Sequence, residues 1–455
     1  MSWDVYAKEC AIRIRPHEDV LLDVNDILRN TSLRQLSLRN RRNICDVTRL
    51  FKSKSLTALD LSDNKICGLK GIETNTTLTH LDLHHNLLYD LSALRSNTTL
   101  RTLVLSSNMI ADSSIDVFRD NTTLQVLVLE DNEITDVSVF ENNTTLRSLF
   151  LGDNLIEDIS GFRCNNTLEY LFLSHNKITD VTALGCNTKL SSLFLTDNKI
   201  TDISPFANNS SLTNLSLYGN KILDMSPLTN NSTLTRLNIA TNFIRDVSAL
   251  HNNNTLKFLS MWENQVEDIS PLRGNTSLIE LNLGNNYIRD VNCVMTMKHL
   301  TFLHLDSNKI RDITALLHLR SLIELYLGYN KISDISPLIG CKSLNHLFLG
   351  NNKIHDLSPL QSLPLITLDV DYNYITDISS LRHVTTLENL SITNNDVKDV
   401  SPLLGSVNLC AIFLKRNFLK RKKDLLLNVT YWNNENKYLR NTTLFHHLSS
   451  ITLTK

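Results

Sequence analysis

The nine-residue phrase Leu-x-x-Leu-x-Leu-x-x-Asn returns along almost the whole chain, and its ninth-position asparagines run from Asn64 to Asn417. All but two of the intervals are 22 residues; one of 24 has its two extra residues near Ser113 and Ser114, and one of 21 falls near Pro364. A degenerate first copy, Leu33-Leu36-Leu38, ends in Arg41 and brings the number of copies to eighteen. A period this short constrains the fold more than length does. One copy cannot bury its own leucines, so neighbours must stack into one continuous core. The roughly three ordinary domains that the length would otherwise suggest give way to a repeat array.

Within each copy the alternating leucines predict a short strand that points them inward. The asparagine turns the chain out of that strand, and its amide serves backbone groups that water cannot reach. The second half of the unit reads Ile-x-Asp-(Ile/Val)-Ser-(Pro/Ala)-Leu. Pairs such as Ser204-Pro205, Ser226-Pro227 and Ser336-Pro337 place a capping oxygen directly before a proline, which suits the first turn of a 3₁₀ or short helical segment. The aspartates of that half, from Asp90 to Asp399, are read as turn caps, because a row of like charges repels unless each accepts bonds within its own turn; calcium along the row is the alternative. Three residues before the first strand leucine the chain has asparagine from Asn75 to Asn275, then Met297, Leu319, Cys341 and Val384. A second ladder of polar side chains is expected through the first two-thirds of the array.

These residues resemble the 22-residue leucine-rich repeats of bacterial internalins and of the SDS22-like regulators of protein phosphatase 1. The stretches "NKITDISPF" and "NKISDISPL" are closest to the internalin form, and the likeness covers roughly residues 31–420. The resemblance implies an α/β leucine-rich repeat solenoid of about 18 repeats: a right-handed superhelix with a parallel concave sheet and convex 3₁₀ or short helical turns. Residues 1–30 and 421–455 are then expected to be the N-terminal and C-terminal caps of a solenoid spanning 31–420. Internalin likeness implies protein recognition on the concave face, and SDS22 likeness implies regulation of a phosphatase.

Composition narrows the function further. A formal net charge of −2, with 20% charged residues, argues against a chain built for nucleic acid. The opening residues carry charges throughout, and no run of about 18 apolar residues occurs, so the expectation is an intracellular, cytoplasmic protein without membrane insertion. The eight cysteines are scattered and read as free thiols, although the 22-residue spacing of Cys45/Cys67 and of Cys164/Cys186 makes a disulfide between neighbouring repeats conceivable. The many Asn-x-Thr triplets, as at Asn75, Asn97 and Asn121, are read as repeat grammar rather than as glycosylation sites. His80, Asp82 and His84 share one face of a strand; a single flat strand suits tetrahedral zinc poorly, so they are read as solvated surface rather than a metal site. No phosphate loop, His-Glu-x-x-His or Gly-x-Ser-x-Gly occurs, and a non-enzymatic chain without cofactor is expected. The basic run Lys420-Arg421-Lys422-Lys423 is assigned to a polar end cap.

The residue between two inward leucines must face outward, onto the concave surface. Down that column stand Val104, Val128, Phe150, Phe172 and Phe194, with Tyr170 and Tyr218 beside them and Phe258 and Trp262 further along. A second group contains Tyr326 and Phe348 among Phe302, His304 and His346. Aromatic anchors next to charge, here Glu130, Asp131, Asp153 and Asp197, have the composition of a binding hot spot. The residues expected to bind a protein partner are therefore Val104, Val128, Phe150, Tyr170, Phe172, Phe194, Tyr218, Phe258, Trp262, Tyr326 and Phe348, on a monomer. Each phenylalanine fully buried by a partner contributes roughly 1.5–3 kcal/mol. The alternative is that such rows only stabilise a long sheet through cross-strand contacts.

Overall fold

The computed structural model describes residues 11–13, 24–41, 44–163, 165–251 and 253–419. They fall into two compact units divided after Asn220. Most of the expected N-terminal cap, all of the C-terminal cap, the run Lys420–Lys423 and Cys164 lie outside the described residues.

Both units are built alike. In the first, three-residue strands from Gln35–Ser37 to Asn214–Ser216 pair in parallel, each in register with the next, and Ala11–Arg13 pairs alongside Gln35–Ser37. In the second, the strands run from Arg236–Asn238 to Ala411–Phe413 in the same manner. The central leucine of each strand, such as Leu193 or Leu347, is fully buried, which is why every copy needs a neighbour.

The ninth-position asparagine ties one repeat to the next. Asn330 Nδ2 donates to the carbonyls of Leu305, Leu327 and Gly328 at 2.9, 3.1 and 3.0 Å, and its Oδ1 accepts the Ile310 amide at 3.0 Å. The residue before this asparagine is left-handed in every repeat of both units: Asp131 has φ 54°, Tyr329 52°, and only Gly219, at 68°, is a glycine. That corner turns two consecutive carbonyls of its own repeat, Leu327 and Gly328, toward the asparagine amide, beside Leu305 of the preceding repeat. It was not foreseen from the sequence, because apart from Gly219 the position carries Asp, His, Ser, Thr, Tyr, Glu, Asn or Arg.

Opposite the sheet the chain forms 3₁₀ turns, as expected, and of the two residues read as caps the aspartate serves and the serine does not. Serine is the first residue of each turn, not its capping acceptor. The cap is the aspartate two residues earlier: Asp202 Oδ1 accepts the Ser204 amide at 2.7 Å, and Ser204 Oγ donates to Asp202 Oδ2 at 2.8 Å. A carboxylate is the better acceptor, and the serine hydroxyl is turned to serve it. The two extra residues near Ser113 and Ser114 are absorbed by a short α-helix, Asp112–Ile115, ahead of the usual 3₁₀ turn.

The second asparagine ladder is present, and the geometry of the 3₁₀ side changes near its end. Asn75 Oδ1 accepts the amides of Thr77 and Leu78 at 3.0 and 2.8 Å, while its Nδ2 reaches back to the Phe51 carbonyl at 2.7 Å. An apolar residue at this position cannot cap that turn. The 3₁₀ segment is already five residues long at Ser270–Gly274, ahead of Asn275, and is so again ahead of Met297 and Leu319, at Asn292–Thr296 and Thr314–His318, where the Leu300 amide bonds the main-chain oxygen of Met297 at 3.1 Å.

Asn187 is caught between the two forms. The Leu190 amide bonds its main-chain oxygen at 3.3 Å, and both atoms of the fully buried side-chain amide are left without a partner. Replacing it by the residue that the second form uses, Asn187→Leu, is expected to raise the unfolding free energy by about 1–3 kcal/mol. Asn165→Leu, which removes the acceptor of the Thr167 and Leu168 amides, is expected to lower it. Urea unfolding of the two variants side by side checks the opposite signs.

Candidate partner-binding face

In the first unit the in-register pairing sets Val104, Val128, Phe150, Phe172 and Phe194 side by side on the open face of the sheet. Parallel strands repeat at about 4.8 Å, close to the thickness of an aromatic ring, so the three phenylalanines stack. Ring centroids are 4.3 Å apart in both steps, with interplanar angles of 13° and 6°. The rings face outward as expected and partly cover one another: Phe194 is only 6% exposed, while Phe150 and Phe172 keep part of their surface. Tyr170, two residues before Phe172 on the same face of the strand, is 43% exposed and is more open to a partner than the stacked rings. Val104, Val128 and Tyr218 are half-buried.

Carboxylates edge this stack. Glu130 lies over Gly152, its Oε1 3.5 Å from where a Cβ would stand, and burial followed by the charge of Asp153 raises its pKa. Asp197 fills the space above Gly219 and pairs with His175 at 3.4 Å; burial raises its pKa against that partner. The turn aspartates behave differently. Asp180, whose carboxylate is held by the Thr182 hydroxyl and amide, has a lowered pKa, which favours the turn-cap reading of the aspartate row.

The second unit brings its aromatic residues together in a different way. The Arg236 guanidinium lies 3.5 Å over the ring of Phe258, so one face of that ring is covered. Trp262 leans over Gly284, its Cδ1 2.8 Å from a would-be Cβ. Tyr326 and Phe348 stack at 4.4 Å and 5°, and His304 closes the other side of Tyr326 at 5.0 Å, leaving Tyr326 9% exposed. His304 in turn meets Asp306 at 3.3 Å.

The column then passes from Phe348 to Asp369, a neighbour that was not singled out in the sequence. Burial first, and then Asp371, pushes the Asp369 carboxyl up to about 7. Asp371, bonded by the Ser391 hydroxyl and the Thr393 amide, is raised as well, again by burial. Gly328 and Gly350 lie among Asp306, Asp369 and Asp371 without side chains of their own. The signal in the sequence was positional: these acids share columns with the aromatics.

A carboxyl with a raised folded-state pKa favours the fold while it is protonated, and that contribution fades as pH rises from about 4 through about 7. Asp369→Asn is therefore expected to leave stability unchanged near pH ~4 and to raise it by about 1–2 kcal/mol near pH ~8. Thermal unfolding of both proteins across that range checks it. Asp82 behaves alike: burial, with Asp60 adding to it, carries its carboxyl up to about 7. Its Oδ1 accepts the His84 amide at 2.9 Å, and His80 Nδ1 lies 2.9 Å from the Thr79 hydroxyl, so these side chains are engaged locally. Among the described residues no group of His, Cys, Asp and Glu is arranged to hold a metal ion.

Comparison with known proteins bears on the repeat and the fold. Leucine-rich repeat sequence profiles match residues 52–68, 98–156, 166–208, 254–294 and 320–362. An internalin from Listeria monocytogenes, InlF, is 31% identical over 71% of this chain and 88% of its own, with a TM-score of 0.61. The chain belongs to the leucine-rich repeat proteins. The functional domain of InlJ from the same organism, which includes a cysteine ladder, is 28% identical over 80% of this chain and 74% of its own, at a TM-score of 0.60. The Arabidopsis receptor kinase HAESA, in complex with the peptide hormone IDA and the co-receptor SERK1, shares the fold at 23% identity over 86% of this chain and 71% of its own, with a TM-score of 0.69. No curated protein matches the chain by sequence comparison. No helix among the described residues is long and apolar enough to cross a membrane.

Proposed function

We propose that this leucine-rich repeat protein is a non-enzymatic scaffold that recognises a partner protein through the concave, sheet-lined face. The observation that carries the reading is the exposed Tyr170 ring beside the stacked Phe150 and Phe172, with Glu130 and Asp197 at their edge. Aromatic anchors next to charge favour protein recognition, and likeness to InlF supports the same use of the fold. In the second unit, Asp306, Asp369 and Asp371 next to Tyr326 and Phe348 favour a segment that offers a basic side chain. Residues 1–30 and 421–455 serve in this reading as end caps of the 31–420 solenoid. A reducing compartment agrees with Cys45 and Cys67, which are unpaired and exposed although they stand in neighbouring repeats.

The stacked rings also favour a second reading, a structural spacer in which the phenylalanines only brace the sheet. Affinity capture from a cell extract separates the two, with wild type beside Tyr170→Glu and beside the triple Phe150→Ser/Phe172→Ser/Phe194→Ser, all first shown to be folded. Tyr170→Glu leaves the stack intact, so loss of one protein from both variants supports recognition. Identical captures by all three sink it in favour of the spacer. A phosphatase subunit among the proteins lost would select the SDS22-like alternative.

A further inference from the structure

Between the sheet and the 3₁₀ turns, each repeat runs Asn-x-Ile-x-Asp, and the two x side chains point out of one flank. Two of the cations at these positions have a partner on an adjacent repeat. Lys177 lies 4.0 Å from Glu157, and Arg245 Nε donates to Gln265 at 2.9 Å. Along two consecutive steps of the second unit cations instead follow cations. Arg289 and Lys309, then Arg311 and Lys331, follow one another with no acid at the matching positions, and among the described residues none of the four forms an ion pair.

These four side chains line a cleft of about 420 Å³. Its one carboxylate, Asp312, is already committed: it accepts the Thr314 amide and hydroxyl at 2.8 and 2.6 Å, and those bonds hold its pKa below the usual carboxylate range. Four cations against one carboxylate leave the cleft strongly positive. The Lys309 ammonium is held 4.4 Å above the Tyr287 ring, so one of the charges is placed in advance. Like charges gathered on neighbouring repeats repel one another, and an anion with several oxygens relieves all of them at once. The volume lies at the small end of the range for small-molecule sites and suits a compact group.

We propose that the cleft formed by Arg289, Lys309, Arg311 and Lys331 binds a compact ligand carrying two or more phosphate groups. Such chemistry comes from a free polyphosphate or from a lipid headgroup, and the site stands independently of partner recognition on the sheet face. Inorganic tripolyphosphate is titrated into the full chain by calorimetry, and vesicles carrying a bisphosphorylated inositol lipid are offered in a sedimentation assay. The variants are the quadruple Arg289→Gln/Lys309→Gln/Arg311→Gln/Lys331→Gln and, as a control on paired flank cations, Lys177→Gln/Arg245→Gln. Three of the four side chains in the cleft are exposed, and circular dichroism confirms that the quadruple variant folds.

Expected is saturable binding of at least one probe by wild type and by the control. That binding weakens by more than about tenfold in the quadruple variant and falls steeply with added salt. Binding of tripolyphosphate alone assigns a soluble ligand, and binding of vesicles alone assigns a headgroup. No saturable binding of either probe, or equal binding by the quadruple variant, overturns the proposal.

Discussion

Asn330→Ala is expected to lower the unfolding free energy by about 3–5 kcal/mol, the largest loss from any single side chain on the strand side of a repeat. Its amide makes three donated bonds and accepts one. The three carbonyls do not become orphans. Leu305 also receives Asn308, Leu327 also receives Asn352, and Gly328 also receives the Ser307 amide. The Ile310 amide is different, since Asn330 Oδ1 is its acceptor inside a buried turn. An orphaned buried amide costs about 1–3 kcal/mol, and the loss of two donor hydrogens, shared among the three carbonyls, adds roughly 1 kcal/mol each before the cavity relaxes. Urea unfolding reads the total, and hydrogen exchange at Ile310 reads the orphan directly. A loss under about 1 kcal/mol would show that water enters the turn and replaces the side chain.

The effect should stay local at first. In a stacked array each repeat touches only its neighbours, so the repeats around Asn330 are expected to loosen before the rest of the second unit. Asn330→Asp separates the two roles of the amide. It keeps an acceptor for Ile310 but removes both donor hydrogens and places a charge among carbonyl oxygens, so it is expected to be no milder than alanine.

This dependence on one amide was legible in the sequence because the period is: an asparagine recurring at one position among buried leucines has few other uses. The corner that aims the backbone at it was not legible. Left-handed residues announce themselves when they are glycine, and here Tyr329, Tyr372, Thr241 and Glu263 adopt the conformation without one. The capping serines misled for a related reason. Serine before proline has the composition of a cap, yet Asp202 two residues earlier is the stronger acceptor and takes the amide.

On the sheet face, alternation placed Phe150, Phe172 and Phe194 in one column, and the structure agrees. How much of each ring remains open is set by ring spacing in three dimensions, which the sequence does not carry, and 4.3 Å leaves little of Phe194. The acids of the second unit were missed because each was read alone. Asp369 acquires its raised pKa from burial below Phe348 in its column, and then from Asp371 beside it. A charged residue that continues an aromatic column is the pattern worth reading in such repeats.

Two glycines ten residues apart are expected to respond to alanine in opposite senses. Gly340 ends the 3₁₀ segment Ser336–Gly340, packed against Thr314–His318 of the preceding repeat. A Cβ there would stand 2.0 Å from the Leu317 carbonyl oxygen, 2.7 Å from its carbon and 2.9 Å from its Cα. All three atoms are backbone, so no side chain can swing aside and the two turns must part. Gly340→Ala is expected to cost about 3 kcal/mol or more. At Gly350, next to the strand His346–Phe348, the nearest atoms to a Cβ are Asp369 Oδ1 at 3.4 Å and the Asp371 oxygen at 3.5 Å, which is ordinary contact. Gly350→Ala is expected to be neutral or to stabilise by about 0.5–1 kcal/mol, through the restricted unfolded chain. Equal midpoints for the two variants in urea would mean that the 3₁₀ side is packed no closer than the sheet side. The predicted contrast makes the 3₁₀ side the one whose spacing holds the repeats together, and leaves the sheet face free to change residues for a partner without unfolding the chain.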